Sequence, residues 1–280
     1  MKYKIEKNTV QETLILPLYS RKLCTELYPS LYRDETAVRL IDQIDYDFSG
    51  AEKNSCSMMQ RFGSLEVAMR QNDLAFEVRD YLKNHPEAAV VNLGCGLDST
   101  GKACDNGSCK IYNLDFPDVI AVRSELLPAG EREENIPCNL NNTEWCRKID
   151  SSNGAVFFAS GVFYYFLTEQ VKTLVQKMAD AFPGSVLVFD AANRTAVKMI
   201  AKTWLKSAKI KDVGAYFAVS DAPKEIGAWS SRLQVTSRGY MLGYNDLKDP
   251  SVSSFFRFLA KVGDGMMKMQ IVKIGFGGKQ

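Results

Sequence analysis

From Ala88 onward the chain alternates short apolar runs with stretches of helical spacing. A chain that must build a helix before each new strand lays its strands side by side as a parallel sheet, with helices on the faces. The runs fall at residues 88–93, 110–115, 155–160 and 185–190, with a weaker one near 135–138. The run at 155–160 is almost wholly apolar, as expected of a strand buried on both faces. Between the last two runs, Val171, Leu174, Val175, Met178, Ala179 and Phe182 repeat at helical spacing. Thr168 is expected to cap that helix and Pro183-Gly184 to end it. A long helix over 65–82 leads into the first strand, and Pro117 is placed to open another. Two further strands are expected at 233–236 and 270–274. Between them and the fifth run, 191–231 is mixed, with a helix around 196–208 and an irregular segment over 214–229. Residues 1–64 do not fit the alternation and read as an N-terminal helical cap.

Bulk properties exclude several functions. Of the 280 residues 46% are hydrophobic and 24% charged, the balance of a packed globule. The net charge is +2 without a basic run, so nothing marks a nucleic-acid partner. Neither an apolar leader core nor a run of ~18 apolar residues is present, which predicts a cytoplasmic protein without membrane spans. The seven cysteines are scattered without CxxC pairs, the pattern of reduced thiols and of a chain with no structural metal site. Only one histidine is present, His85, and its place before Pro86 makes it a helix-end residue. Hydrolase mechanisms built on an imidazole would all depend on it.

The chemistry is expected where the first strand ends, in Asn92-Leu93-Gly94-Cys95-Gly96-Leu97-Asp98. Open α/β sheets bind ligands beyond such strand ends, and two glycines let a cofactor lie against bare backbone. Asp115 ends the next strand, ~20 residues on, where a carboxylate can accept from both hydroxyls of a ribose. Together these predict an adenosine-type cofactor. A dinucleotide site prefers a third glycine, but Ser99 stands there, and the stretch from Thr100 to Gly107 reads as a loop rather than a helix. No G-x-x-x-x-G-K-[ST] phosphate loop occurs. A cofactor without phosphates fits better. S-adenosylmethionine is one, and carboxylates such as Asp98 suit its sulfonium. An NAD-type oxidoreductase and a catalytically degenerate metabolite binder stand as alternatives.

Residues 90–98 resemble the first motif of the leucine carboxyl methyltransferase family, whose bacterial members include polyketide O-methyltransferases of the tetracenomycin type. The resemblance continues through residues 112–120, similar to a family segment ending D-x-P-x-V-I, and through 160–166, similar to E-G-V-x-x-Y-L. Weaker echoes lie at 16–21 and 70–73. It implies a class I S-adenosylmethionine-dependent methyltransferase: an α/β, Rossmann-like domain over 1–280 with a seven-stranded, mostly parallel sheet whose last strand is antiparallel. The core would span 65–280, behind the 1–64 cap, with 191–231 inserted over the site. The implied cofactor contacts are Arg70 to the carboxylate, Gly94 at the methionine part, Asp115 at the ribose, Asn139 and Leu140 near the adenine, and with them Cys95, Gly96, Asp98, Phe116 and Ser160. The sequence departs from the family pattern at Ser99-Thr100-Gly101-Lys102, at Asn139, where an aspartate is usual, and at Ser160, where a glutamate is usual.

Methyl transfer is an in-line displacement, so such an enzyme mainly aligns an acceptor oxygen and excludes water. In this fold Tyr164 and Tyr165 would lie near the methyl, while Tyr19 and Arg21 on the cap could hold an anionic acceptor. The expected partner is a small-molecule carboxylate or hydroxyl acceptor, anionic or aromatic. Carboxyl and hydroxyl acceptors both remain open at this level.

Overall fold

The computed structural model describes residues 2–5, 13–200 and 216–277. Its centre is a seven-stranded sheet built from β1 (Ala89–Leu93), β2 (Lys110–Asp115), β3 (Glu133–Pro137), β4 (Ala155–Ala159), β5 (Val186–Ala191), β6 (Leu233–Gly239) and β7 (Gln270–Phe276). The spatial order is β3-β2-β1-β4-β5-β7-β6. Every neighbouring pair is parallel except those of β7, which runs antiparallel to both β5 and β6. The resemblance implied this arrangement, antiparallel last strand included.

β1 and β4 are buried along their whole length, which explains why their runs are apolar without alternation. β3 lies at an edge with much of its length exposed, so its apolar signal is weak. After β1 the chain turns to one side to make β2 and β3, then returns to place β4 on the other side. That reversal opens a crevice at the carboxyl ends of β1 and β4, where doubly wound sheets take their ligands.

The main helices are α1 (Ile15–Leu27), α2 (Glu35–Gln43), α3 (Met58–Asn84), α4 (Pro117–Leu126), α5 (Thr168–Ala181) and α6 (Ser254–Gly265). One sheet face packs on α3 and α6 through Leu74, Val78, Phe158 and Phe256. The other packs on α5, with Phe157 of β4 against Trp145 and Phe182. A third core joins α1 and α2 to Leu97, Val122 and Leu126. The N-terminal helices are thereby tied to the loop after β1 and to α4.

Three local expectations differ. The long helix starts at Met58 rather than Leu65, because Ser57 accepts from Gln60 N at 3.3 Å and caps it there. Thr168 lies inside α5; the cap is Leu167, whose N–H donates to Gln170 Oε1 at 2.7 Å. The stretch after Ser99 begins with one helical turn, Thr100–Ala103, before it becomes a loop. The helix expected over 196–208 is described as Arg194–Ile200; residues 201–215, and with them much of the insertion expected over the site, lie outside the described residues. Among the described residues no helix is long and apolar enough to cross a membrane. All seven cysteines are free thiols.

Candidate cofactor site

The turn after β1 is pinned at the carboxyl end of β2, with Gly94 N and Cys95 N both donating to Leu114 O. Gly94 has φ +67° and Gly96 φ +46°, left-handed values that disfavour a side chain. Space forbids one at Gly94 as well: a Cβ there would stand 2.6 Å from Val162 Cγ2. The loops after β1 and β4 thus approach each other across bare backbone.

Asp115 supports the turn from beneath. Its Oδ2 accepts from Gly96 N and its Oδ1 from Phe116 N, each at 2.8 Å. Burial raises the Asp115 carboxyl above its ordinary range, while those two backbone N–H groups act to lower it. Each oxygen keeps lone-pair capacity beyond these bonds, so a ribose diol can still be accepted. Arg123 of α4, 3% exposed, holds the same turn from the other side by donating to Gly96 O at 3.0 Å and Asp98 O at 2.6 Å.

These groups open onto a cavity of about 300 Å³ bounded by the carboxyl ends of the strands, the residues just before and in α1, and α3. Of the residues singled out in the sequence, Arg21, Arg70, Gly94, Cys95, Gly96, Asp98, Asp115, Phe116, Leu140 and Ser160 line it. At the end formed by α3, Arg70 Nη1 donates to Asp190 Oδ2 at 3.1 Å, and Asp190 Oδ1 takes Gly161 N at 2.6 Å. Gly161, φ +70°, lets the guanidinium pass: a Cβ there would lie 3.0 Å from Arg70 Nη1. Arg70 Nε and Ser160 Oγ are buried without a hydrogen-bond partner.

Three expected residues do not line the cavity. Tyr164 is 4% exposed, in the core under the sheet, its hydroxyl engaged by Asp190 and raised well above its ordinary range by burial. The 3₁₀ turn Phe163–Tyr165 rotates about 120° per residue, so it sends Tyr164 inward and Tyr165 to the cavity. Tyr19 is buried against Phe48, with centroids 5.7 Å apart. Leu14, Pro17 and Arg21, at i, i+3 and i+7, form the cavity face at α1, and Tyr19 points elsewhere. Asn139, expected near the adenine, is exposed, and its side-chain carbonyl accepts from Asn141 N at 3.0 Å in a local turn.

Two residues that do line the cavity are already committed. Arg21 is 3% exposed, donates to Asp34 Oδ2 and Leu97 O at 2.8 Å each, and lies 3.6 Å from Asp98 Oδ1. Its charge is answered inside the protein, and it ties α1 to the turn instead of standing as a free cation. Asp98 takes Thr100 N at 2.8 Å, Thr100 Oγ1 at 2.7 Å and Asn92 Nδ2 at 3.1 Å. The sequence also left wall residues unassigned: Gln71, Val119, Cys138, Val162 and Phe166. Burial, then the Asp115 charge, push the Cys138 thiol up to about 12, so it is neutral and not a nucleophile.

The family described as leucine carboxyl methyltransferase matches residues 19–179. The tetracenomycin polyketide synthesis O-methyltransferase TcmP of Streptomyces glaucescens is 28% identical over 183 residues, which is 65% of this chain and 66% of that protein. Among solved structures, a DUF574 family protein of Streptomyces avermitilis superposes with TM-score 0.59 at 10% identity, covering 93% of this chain and 97% of that one. The plantazolicin methyltransferase BpumL, in complex with SAH, superposes with TM-score 0.50 at 12% identity, covering 96% and 99%. The structural likenesses establish the fold. The family match runs from α1 through the glycine turn, Asp115 and Ser160 into α5, and on it the chain belongs to the leucine carboxyl methyltransferase family.

Proposed function

We propose that the protein is an S-adenosylmethionine-dependent O-methyltransferase that acts on a small-molecule acceptor. One observation carries this most directly: at the strand-order reversal, Asp115 and the side-chain-free turn 94–96 meet on a cavity whose far end holds Arg70. A ribose, a thioether chain and an amino-acid carboxylate need those three features in that sequence. The unpartnered Arg70 Nε and Ser160 Oγ fit the same group.

The single helical turn after Ser99 speaks against a dinucleotide. Its first N–H, at Thr100, is taken by Asp98, and a turn of four residues offers little dipole to a pyrophosphate.

When bound, S-adenosylmethionine supplies a methyl group already activated on a sulfonium. The chain's own residues bind and align. Asp115 accepts from the ribose, Phe116, Val119 and Leu140 enclose the adenine, and Arg70 receives the carboxylate in a charge-assisted bond. Leu14, Pro17, Tyr165 and Phe166 make an apolar wall that excludes water where the acceptor enters. The acceptor is a carboxylate, which needs no base, or an easily ionised hydroxyl. An aromatic acceptor suits the rings of Tyr165 and Phe166, and the name of TcmP points to O-methylation of a polyketide. We place the protein in the cytoplasm, where its thiols stay reduced.

The test is incubation with methyl-labelled S-adenosylmethionine and a small-molecule extract of the source cells, read by mass spectrometry. A metabolite gaining the labelled methyl is expected. Cofactor binding without any labelled product would leave a binder in place of an enzyme.

A further inference from the structure

Gln71 lies beside Arg70 on α3 and lines the same cavity, yet the cofactor contacts described above leave it without a task. It is 5% exposed, and its Oε1 has no hydrogen-bond donor in the folded chain. Ser160 Oγ is in the same position. The two belong to one end of the cavity, because the Arg70 guanidinium lies against Gly161, the residue after Ser160. A buried acceptor left without a donor is unfavourable, so a cavity occupant that donates would be held there.

Resting on the cofactor assignment above, we propose that Gln71 and Ser160 form an uncharged seat for the α-ammonium of the cofactor's amino-acid end. An ammonium carries three donors and no acceptor, whereas a guanidinium offers donors alone. Arg70 therefore repels the ammonium and selects the carboxylate, and the ammonium needs oxygens nearby. The Gln71 carbonyl and the Ser160 hydroxyl are the neutral oxygens at this end that lack a partner. Asp190, the carboxylate that pairs with Arg70, is occupied by Arg70 and Gly161. The broad terminal torsion of glutamine lets Oε1 turn toward the cavity at little cost. Gln71 is then a cofactor-positioning residue: it fixes the direction of the amino-acid chain and so the sulfur from which the methyl leaves.

The experiment compares three ligands by calorimetry: S-adenosylhomocysteine, its deaminated analogue, which keeps the carboxylate, and methylthioadenosine, which lacks both groups. Gln71→Met is expected to weaken S-adenosylhomocysteine about tenfold, the scale of one lost hydrogen bond to a charged group, and to leave the other two unchanged. Ser160→Ala should show the same selectivity. Gln71→Glu, which adds a countercharge, should tighten S-adenosylhomocysteine alone. Equal weakening of both carboxylate ligands, or no change in either, would overturn the seat. So would loss of all three ligands in Gln71→Met together with no gain for S-adenosylhomocysteine in Gln71→Glu. Failure of the unaltered protein to bind any of the three would instead remove the cofactor assignment on which the seat rests.

Discussion

Replacing Gly94 by alanine tests whether the loops after β1 and β4 meet as closely as their backbones indicate. Two costs add. An L-residue held at φ +67° loses about 1–2 kcal/mol. The new Cβ would stand 2.6 Å and 2.9 Å from the two Val162 methyls, an overpacking that typically costs about 1–3 kcal/mol. The expected loss is about 2–5 kcal/mol, read from urea unfolding midpoints at constant m-value. Val162→Ala removes both clashing methyls and leaves Val162 Cβ at 3.4 Å, an ordinary contact. Alone it should cost about 1–2 kcal/mol for the lost methyls. In the double variant the clash is gone and only the backbone cost persists. The pair should therefore be about 1–3 kcal/mol less destabilised than the two single changes predict together. Strict additivity would show that Gly94 and Val162 do not touch, and the narrow crevice inferred between the loops would be wrong.

Two further outcomes follow from single carboxylates. Asp115→Ala should weaken S-adenosylhomocysteine at least about tenfold, since it removes charge-assisted acceptors and the support of Gly96 N; unchanged affinity would misplace the ribose. Asp73, 1% exposed, has its carboxyl raised to about 9, first by burial and then by Asp264 and Glu77, so it is protonated at neutral pH. A folded value above the unfolded 3.8 means stability is lost as pH rises between the two, at about 1.4 kcal/mol per pH unit. Asp73→Asn, which keeps the acceptor for Asn245 Nδ2, should therefore stabilise the protein by about 2–4 kcal/mol at pH 7, and by less near pH 5. A gain that does not change with pH would show that Asp73 is ionised throughout.

The features legible in the sequence were those fixed by local spacing. Apolar runs placed the buried strands β1 and β4, and Pro117 marked the start of α4, because burial on both faces and a fixed φ act on the chain near the residue itself. The glycine turn and Asp115 were legible for the same reason, their separation being set by one strand-to-strand crossover. Side-chain direction and distant pairing were not. Arg21 gives no local sign that Asp34 and the Leu97 carbonyl will consume its donors. Arg123 belongs to no motif in the sequence, and only with α4 laid beside the turn does its guanidinium meet two backbone carbonyls. Tyr164 and Tyr165 are neighbours in sequence, and only the 3₁₀ turn decides which of them faces the cavity. Gln71 lies in the weak echo at 70–73 but was given no role there; what marks it is a buried oxygen without a partner, visible only in three dimensions.

Calorimetric titration of the whole chain with S-adenosylmethionine and S-adenosylhomocysteine tests the central claim most directly. Saturable binding of both at one site is expected, with Asp115→Ala weakening each. Absence of binding by either at millimolar concentration would contradict the assignment of the cavity to this cofactor.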